Sequence, residues 1–479
     1  MLRNCFIYIT IFFLNTLFFL ACKKDKVDEP SPNNDFVLDM SGTSVLPSYS
    51  QRSGDPDSGY HYLVYGDYVN SGVPYNAFTA VFSSGSENLL NRTGDNANIP
   101  YSYNAVDAAN GVRVVSSNCL TCHSSKLNGD YILGLGNSLS DFTEDQSSNI
   151  PMVDGLMNQV YPPDSNGNPS AEWNAYEPFR KAAAATGPYI VTEKMGVNSA
   201  DKLAAVLAAH RNNDDLSWSS TQLLPIPAEV IPSDVPAWWL LKKKNTMFYT
   251  AVGRGDFARI MMASSILTIE DSSEARSIDN KFSDVLAYLN TIESPVFTGI
   301  VDQTLADEGK IVFNQYCSGC HGSYGTNETY PNLFVSLDRI GTDSLLSVSN
   351  YAYIEFVNYY NTSWFAQEPN SAFMEPGYGY MAPPLDGIWA TAPYLHNASV
   401  PDLETLLNSS IRPKYWKRTF VDSDYNLTKI GWNYTEESSG GDKYTYDTSI
   451  PGYGNSGHTF GDTLSIAQRT SLIEYLKSL

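Results

Sequence analysis

Cysteine and histidine are both scarce in this chain, with six of each among 479 residues. Cys5 and Cys22 lie in the N-terminal segment, and the other four cysteines belong to two short motifs that also contain a histidine. No pair of cysteines is therefore left for a disulfide in the body of the chain. Basic residues are scarce as well, because 30 Lys and Arg stand against 52 Asp and Glu and leave a formal net charge of −22. This excess argues against a nucleic-acid partner and suits a basic redox partner.

Long apolar runs are missing beyond the N-terminus, so the sequence predicts no membrane-spanning helix there. Residues 6–20 are mostly apolar but short and interrupted, which fits the core of a signal peptide over residues 1–21. This run ends in Phe-Leu-Ala-Cys, which resembles a bacterial lipobox, and Cys22 would then be the lipidated first residue of the mature protein. Lys23 is not the Asp that retains lipoproteins in the inner membrane. We expect an extracytoplasmic lipoprotein at the outer membrane, facing the periplasm or the surface; an ordinary secreted protein is the alternative.

Residues 25–50 are rich in Asp, Pro, Asn and Ser, a composition that is typical of flexible segments. We expect residues 22–50 to comprise the lipidated cysteine and a flexible tether. The rest of the chain is longer than one ordinary domain, and its 42% of hydrophobic residues is enough for real cores.

Two Cys-x-x-Cys-His motifs carry the chemistry of the chain. They are Cys119-Leu120-Thr121-Cys122-His123 and Cys317-Ser318-Gly319-Cys320-His321. Two thiols at this spacing bond covalently to the vinyl groups of one porphyrin, and the adjacent histidine then supplies an axial nitrogen to the iron. A zinc site needs four ligands, and neither motif has a second Cys or His pair at finger spacing. The sequence thus predicts two covalent haems c, with His123 and His321 as iron ligands. Covalent haem attachment outside the cytoplasm agrees with export.

The fold expected from the sequence is mainly α, with two class-I cytochrome c-like haem domains, long ordered loops and little sheet. Residues 307–316 have helical spacing and run directly into Cys317, and an apolar stripe on residues 465–479 predicts a final helix. Cytochromes of this type pack such helices together, which gives a C-terminal domain over residues 299–479. A second helix pattern at residues 284–289 ends before Pro295 and closes an N-terminal domain over residues 51–298.

A family resemblance becomes specific at residues 387–401, GIWATAPYLHNASVP. This stretch resembles the TAPYxHxGS segment of bacterial dihaem cytochrome c peroxidases, and it looks closer still to the dihaem rubber oxygenases. Residues 236–244, 253–256 and 457–458 resemble the same branch. The resemblance covers roughly residues 90 to 479, with Ala398 where Gly is usual.

In this family one haem is capped on both sides and carries electrons, while the other keeps an open face for peroxide or dioxygen. His458 is the first candidate to cap the second haem, because it follows the Gly-rich residues 451–457 just before the final helix, where a loop can fold over the haem. The resemblance, which implies a late histidine in this role, agrees. His396 is a rival ligand, although the matching residue of the peroxidases is a pocket residue. Met381 is a third option. Alternatively, His458 is a surface-loop histidine that binds no metal.

The first haem lacks a nearby histidine, because none occurs between His123 and His210. Peroxidases of the family usually bring a distal histidine from a loop soon after this motif. The departure favours an open first haem, the catalytic one. His61, His210 and Tyr131 are the remaining residues that could reach its iron.

Adjacent Trp238 and Trp239 either fill a domain interface or relay electrons between the haems, as the resemblance implies, and we favour Trp239 for the relay. Lys242, Lys243, Lys244, Arg254 and Arg259 are candidates for neutralising haem propionates; a solvated basic face is the alternative. A calcium ion between the domains is possible in such a protein, and the sequence does not place one.

The expected function is that of a haem-dependent oxidoreductase, peroxidase-like or oxygenase-like. It would use peroxide or dioxygen at the N-terminal haem and relay electrons through the C-terminal haem. The organic substrate or electron donor is unknown. The alternatives are a dihaem electron-transfer cytochrome without substrate chemistry of its own, and a haem protein that binds or senses a ligand without turnover.

Overall fold

The computed structural model of the chain describes residues 39–82 and 87–479. The expected signal peptide and Cys22 lie outside these residues. The α-helices are α1 (Pro56–Tyr65), α2 (Tyr75–Phe82), α3 (Ile150–Val160), α4 (Ala171–Thr186), α5 (Ala200–Ala209), α6 (Phe257–Met261), α7 (Ser272–Leu289), α8 (Gln303–Tyr316), α9 (Ser318–His321), α10 (Leu337–Ile340), α11 (Leu345–Ala352), α12 (Ile354–Thr362), α13 (Leu403–Leu406) and α14 (Ile466–Leu476).

Strands and 3₁₀ turns fill much of the remaining chain. The strands are β1 (Thr43–Val45), β2 (Val73–Pro74), β3 (Tyr103–Asp107), β4 (Arg113–Ser117), β5 (Ser124–Leu127), β6 (Asp130–Leu133), β7 (Gly253–Gly255), β8 (Leu333–Ser336), β9 (Ala372–Met374), β10 (Gly379–Met381), β11 (Tyr415–Lys417), β12 (Tyr425–Asn426), β13 (Gly431–Trp432), β14 (Thr435–Glu436) and β15 (Thr445–Asp447). The 3₁₀ turns are Gly94–Asn98, Cys119–Thr121, Gln146–Asn149, Gly187–Tyr189, Trp238–Lys243, Met262–Leu267, Trp364–Ala366, Ile388–Ala390 and Ser409–Ile411.

The predicted fold class is wrong. Of the residues that the structure describes, 38% are helical and 13% are extended, so the chain is not mainly α, and two class-I cytochrome domains are not established. Some of the long loops expected from the sequence pair instead as short antiparallel strands. The hairpin β5–β6 is an example, since Asn128 and Gly129 join its strands with φ angles of 51° and 89°. An Asn-Gly pair with positive φ is a strong hairpin signal.

Two pairs of helices cross at a glycine, and each pair lies beside one of the Cys-x-x-Cys-His motifs. α8 crosses α14 at Gly309, where an added Cβ would lie 1.9 Å from the carbonyl oxygen of Ser471. α1 crosses α7 at Gly59, where an added Cβ would lie 1.9 Å from the carbonyl oxygen of Asp284. The predicted helices at residues 307–316, 465–479 and 284–289 are therefore confirmed, and the two ends of the second haem region do pack together.

Caps explain where these helices begin. Asp302 accepts hydrogen bonds from the backbone N–H groups of Thr304 and Leu305 at the start of α8. Ser465 and Gln468 form a capping box at the start of α14. Side chains of α8 and α14 then bury a common apolar face that includes Phe313, Leu472 and Leu476.

Two large hydrophobic cores follow from these helix pairs, and both draw on distant parts of the sequence. The first surrounds α1 and α7 and includes Leu120 and Trp238, together with Trp364 from the C-terminal part of the chain. The second surrounds α8 and α14 and includes Trp239 and Leu127 from the N-terminal part. Residues Met40–Leu479 group as one compact unit, and the division at residue 298/299 stays a prediction.

The N-terminal part of the described chain packs against two distant segments. β1 pairs antiparallel with β8, which also pairs with β10, and the backbone N–H of Leu46 donates to Asn332 at 2.8 Å. A few residues later Arg52 forms ion pairs with Asp256 and Asp279. The sequence predicted a flexible tether through residue 50, whereas residues 43–46 are part of a sheet, because their backbone finds a partner strand far along the chain. Within the described residues, no helix is long and apolar enough to cross a bilayer.

Candidate haem sites

The second motif is placed by the end of α8. The helix stops at Tyr316, Cys317 closes its last turn by donating its N–H to Phe313, and α9 carries Cys320 and His321 on the next turn. His321 Nδ1 lies 2.8 Å from the carbonyl oxygen of Pro383. A histidine that donates Nδ1–H to a carbonyl has its Nε2 lone pair free for a metal. The proximal ligand of the second haem is thus oriented for binding.

His458 faces His321 across the second site. The centres of the two imidazole rings are 6.2 Å apart, and the rings are inclined at 58°. Two imidazoles that bind one metal from opposite sides, each through a bond of about 2 Å, have ring centres roughly 6 Å apart. The observed separation therefore fits a haem iron between the two histidines. Burial lowers the pKa of His458 to about 3, so the ring is neutral, as a metal ligand must be.

A strained loop presents His458. Its φ angle is 43°, in the left-handed region that a residue with a Cβ rarely adopts, and Gly457 before it has a φ of 71°. The backbone N–H of His458 donates to Ile340 at 2.8 Å. An added Cβ at Gly457 would lie 2.1 Å from the carbonyl carbon of Gly341, so only glycine allows this close approach to the end of α10.

The two rival ligands, His396 and Met381, have contacts of their own. His396 stacks on Tyr380 with ring centres 4.1 Å apart, and its Nε2 is enclosed by protein atoms without a hydrogen-bond partner. Burial lowers the pKa of His396 to about 3. Met381 is buried in a small core with Leu46 and Ala251. Of the three residues proposed from the sequence, His458 is the one whose ring faces that of His321.

The first motif is placed by strands instead of a helix. β4 leads into the 3₁₀ turn Cys119–Thr121, and Asn118 caps that turn by accepting the N–H of Leu120. The hairpin β5–β6 follows directly, and Gly134 after it donates its N–H to the carbonyl of His123 at 2.9 Å. In place of a helix like that before Cys317, residues 113–117 in front of this motif pair with β3.

Trp238 packs against the proximal histidine of the first motif. The ring centres of His123 and Trp238 are 4.7 Å apart and the planes are inclined at 18°, and the backbone N–H of Trp238 donates to Gly134 at 2.8 Å. Burial lowers the pKa of His123 to about 4. Trp239 points away, since its indole N–H donates to the carbonyl of Asp386 at 2.8 Å. Each tryptophan belongs to a different core, and sequence reasoning missed the contact of Trp238 with His123.

The other proposed ligands of the first haem have contacts of their own. His61 stacks on Tyr65 at 4.8 Å, and His210 stacks on Trp218 at 5.1 Å while its Nδ1 bonds to the carbonyl of Ser219. The ring of Tyr131 packs against Tyr101, and its buried hydroxyl lacks a hydrogen-bond partner. The structure thus places a tryptophan, and none of these three residues, in ring contact with His123.

Most of the cations proposed for haem propionates already have carboxylate partners. Lys242 pairs with Glu293, Lys243 pairs with Asp386 and Glu328, and Arg259 pairs with Asp279.

Arg254 and Lys244 are the other two cations of this set, and their surroundings differ from those of the first three. Arg254 lies 3.6 Å from Glu375 and has two buried nitrogen atoms without hydrogen-bond partners. Burial lowers the pKa of Lys244 to about 8. As for a calcium ion, residues 39–82 and 87–479 contain no group of three or more His, Cys, Asp or Glu that could hold a metal ion.

At the second motif two thiols and a histidine lie on adjoining turns, a carbonyl orients the histidine and a second imidazole lies opposite, an arrangement that fits a c-type cytochrome site. Residues 379–417 match the family described as "RoxA-like, cytochrome c-like". The match implies covalently bound haem c and supports a relation to the rubber oxygenase-like cytochromes. It suggests a role as a haem c oxidoreductase or in electron transfer.

Two curated relatives are similar to parts of the chain. The uncharacterized protein y4iJ of Sinorhizobium fredii (strain NBRC 101917 / NGR234) is 31% identical over 242 residues, which covers 38% of this chain and 40% of that protein. The uncharacterized protein y4iM of the same strain is 26% identical over 247 residues and covers 47% and 54%, respectively. The chain thus spans about half the length of these relatives.

Proposed function

We propose that this chain is an exported dihaem c-type oxidoreductase with unequal haem sites. The site at His123 would bind peroxide or dioxygen, and the site at His321 would pass electrons to it. The observation that carries the proposal is the difference in axial surroundings: His458 lies opposite His321 at 6.2 Å, whereas His123 has Trp238 beside it.

A haem iron with one protein ligand can bind a small oxidant, and one with two nitrogen ligands exchanges electrons without binding it. Residues of the chain provide the ligands of the second site and hold them in place. His321 and His458 would hold the haem iron of the second site from its two sides, and the Pro383 carbonyl fixes the tautomer of His321. Trp238 and Trp239 are adjacent on one turn, the first in the first core and the second in the second core, and they are the candidates for a relay.

Carbon monoxide titration of the ferrous protein tests this proposal, with pyridine haemochrome as the measure of haem content. We expect two haems per chain, one of which binds carbon monoxide. If neither haem binds it, the chain is an electron-transfer cytochrome, the alternative that the cytochrome c-like match also allows. A content of one haem would contradict the dihaem proposal itself.

We also propose that the mature protein is lipid-anchored at the outer membrane through Cys22, on the resemblance of residues 19–22 to a lipobox. The variant Cys22→Ala should leave the membrane fraction or fail to mature. Membrane fractionation of this variant that matches wild type would contradict the anchor.

A further inference from the structure

The loop that carries His458 is held by an arginine from another part of the chain. Arg412 donates hydrogen bonds to five backbone carbonyl groups. Two of them, Thr405 and Leu406, belong to α13 and accept at 3.1 and 3.0 Å. The other three lie in the loop itself, namely Asn455, Gly457 and His458, and accept at 2.6, 2.7 and 3.1 Å. One guanidinium thus joins α13 to the loop up to the histidine.

Asn397 holds the same loop from its other end. The side chain is completely buried, and its Nδ2 donates to the carbonyl groups of Gly452 and Gly454, each at 2.9 Å. Asn397 is itself fixed, because its backbone carbonyl accepts the hydroxyl of Tyr446 at 2.6 Å. Its neighbour His396 was the residue that the sequence singled out, whereas the amide beside it makes the contact with the His458 loop.

We propose that Arg412 and Asn397 are positioning residues for His458, which keep its imidazole opposite His321. The inference rests on the proposed role of His458 as an iron ligand. Its physical reason is the backbone of the loop, since Gly457 and His458 both have positive φ angles and relax readily unless their carbonyl groups are tied. The guanidinium suits this task because its N–H groups form a rigid fork that can reach several carbonyls at once.

This inference also gives a chemical role to the segment that matches the cytochrome family. Residues 379–417 contain Pro383, Asn397 and Arg412. Pro383 orients His321 on one side of the second site, and Asn397 and Arg412 hold His458 on the other. The segment would thus set both axial nitrogens of one haem without contributing a ligand itself.

Three variants test the inference. Arg412→Met removes all five hydrogen bonds while keeping an unbranched side chain, and Arg412→Lys keeps the charge but cannot span both α13 and the loop. Asn397→Asp keeps the shape and places an oxygen against two carbonyl oxygens. Arg469→Met is the matched control, because Arg469 donates to the carbonyl groups of Gly461 and Leu464 in the next turn and not to the His458 loop.

The readouts are low-spin ferric EPR intensity, carbon monoxide stoichiometry and rescue by added imidazole, each at full haem content. We expect Arg412→Met and Asn397→Asp to lose most of the low-spin signal of the second haem and to gain a second carbon monoxide site. Arg412→Lys should lose less, and Arg469→Met should match wild type. Added imidazole should restore the low-spin signal, and a far-UV circular dichroism spectrum that matches wild type should show that each variant is still folded.

Comparison with His458→Gly separates the positioning role of Arg412 and Asn397 from the assignment of His458 as an iron ligand. If His458→Gly removes the low-spin signal but Arg412→Met and Asn397→Asp keep it, the positioning role is wrong and the ligand assignment stands. If His458→Gly keeps the signal, the ligand assignment fails and the positioning role fails with it. A variant that loses haem is replaced by Arg412→Lys, whose partial loss of signal supports the role and whose wild-type signal contradicts it.

Discussion

The two Cys-x-x-Cys-His motifs have the same ligand spacing but reach it from different secondary structure. At the second motif, α8 runs straight into Cys317, and a loop from the end of the chain delivers His458. At the first motif, β4 leads into Cys119, and the distant 3₁₀ turn Trp238–Lys243 places Trp238 beside His123. The pentapeptide alone therefore predicts where a haem would be attached and which histidine would be proximal. Distant segments decide what else surrounds each iron.

The comparison also has a shared part. Each motif lies beside two helices that cross at a glycine, Gly59 in one case and Gly309 in the other. The two helix pairs are alike, but the segments that connect them to the motifs differ. A sheet and a hairpin surround the first motif. The two sites thus share a similar pair of crossing helices and differ in the segments that connect those helices to the motif.

The largest expected effect comes from removing His458, the residue that makes the second site different from the first. His458→Gly should convert the second haem from low-spin to high-spin, because the ligand opposite His321 is removed. EPR and carbon monoxide binding measure this, and the first haem should keep its affinity. His396→Gly is the control and should keep the low-spin signal, since its ring stacks on Tyr380. If His396→Gly abolishes the signal and His458→Gly does not, the assignment is reversed.

The next effect tests the shared helical frame. Gly309→Ala and Gly59→Ala should each lower the free energy of unfolding by about 3 kcal/mol, because the new methyl group meets a backbone oxygen that cannot move without shifting a helix. Gly155→Ala is the control within α3, where an added Cβ meets nothing within 4 Å, and it should raise stability by about 0.5–1 kcal/mol. Denaturant unfolding measures all three. Equal behaviour of Gly155→Ala and Gly309→Ala would rule out tight crossing.

A smaller effect should separate the two tryptophans. Trp238→Leu removes the ring that stacks on His123, so the spectrum and carbon monoxide affinity of the first haem should change while the second haem keeps its low-spin signal. Trp239→Phe removes the hydrogen bond to Asp386 and should lower stability by about 1 kcal/mol with less change at the first haem. A larger change at the first haem from Trp239→Phe would mean that the stacking is unimportant.

The smallest effect concerns the hairpin that only the first motif has. Gly129→Ala should lower stability by about 1 kcal/mol through its positive φ alone, because the space around it is open. Gly441→Ala, where the space is also open and φ is not positive, should be close to neutral. Thermal unfolding of the pair measures the difference. A loss of haem at Cys119 without loss of stability would point to a direct role of the hairpin in attachment.

Local patterns in the sequence predicted what depends on neighbouring residues. The helices α8 and α14 follow from apolar spacing and from their ends, and His458 was placed by its position before the last helix. The hairpin β5–β6 was also readable, since Asn128-Gly129 stands between two short strands, but its signal was overlooked. That oversight contributed to the wrong fold class.

Long-range pairing was beyond the sequence. Nothing near Thr43 indicates that it pairs with Val335, and the acceptor of His321 is a carbonyl of Pro383, a group that every residue possesses. The same holds for Arg412, whose partners are all backbone oxygens. Contacts of this kind depend on tertiary structure and leave no mark in residue type.

The segment that begins with β1 has a consequence for how the protein melts. Leu46 is buried in a small core with Met381, two residues before the Pro383 carbonyl that orients His321, and Arg52 is tied to Asp256 and Asp279 beside the first core. Loss of structure at either end releases this strap and weakens its hold on the other, so the surroundings of the two motifs share a single cooperative unit. Calorimetry of the holoprotein should then record one heat-absorption peak in place of two, and damage near one haem should be felt at the other.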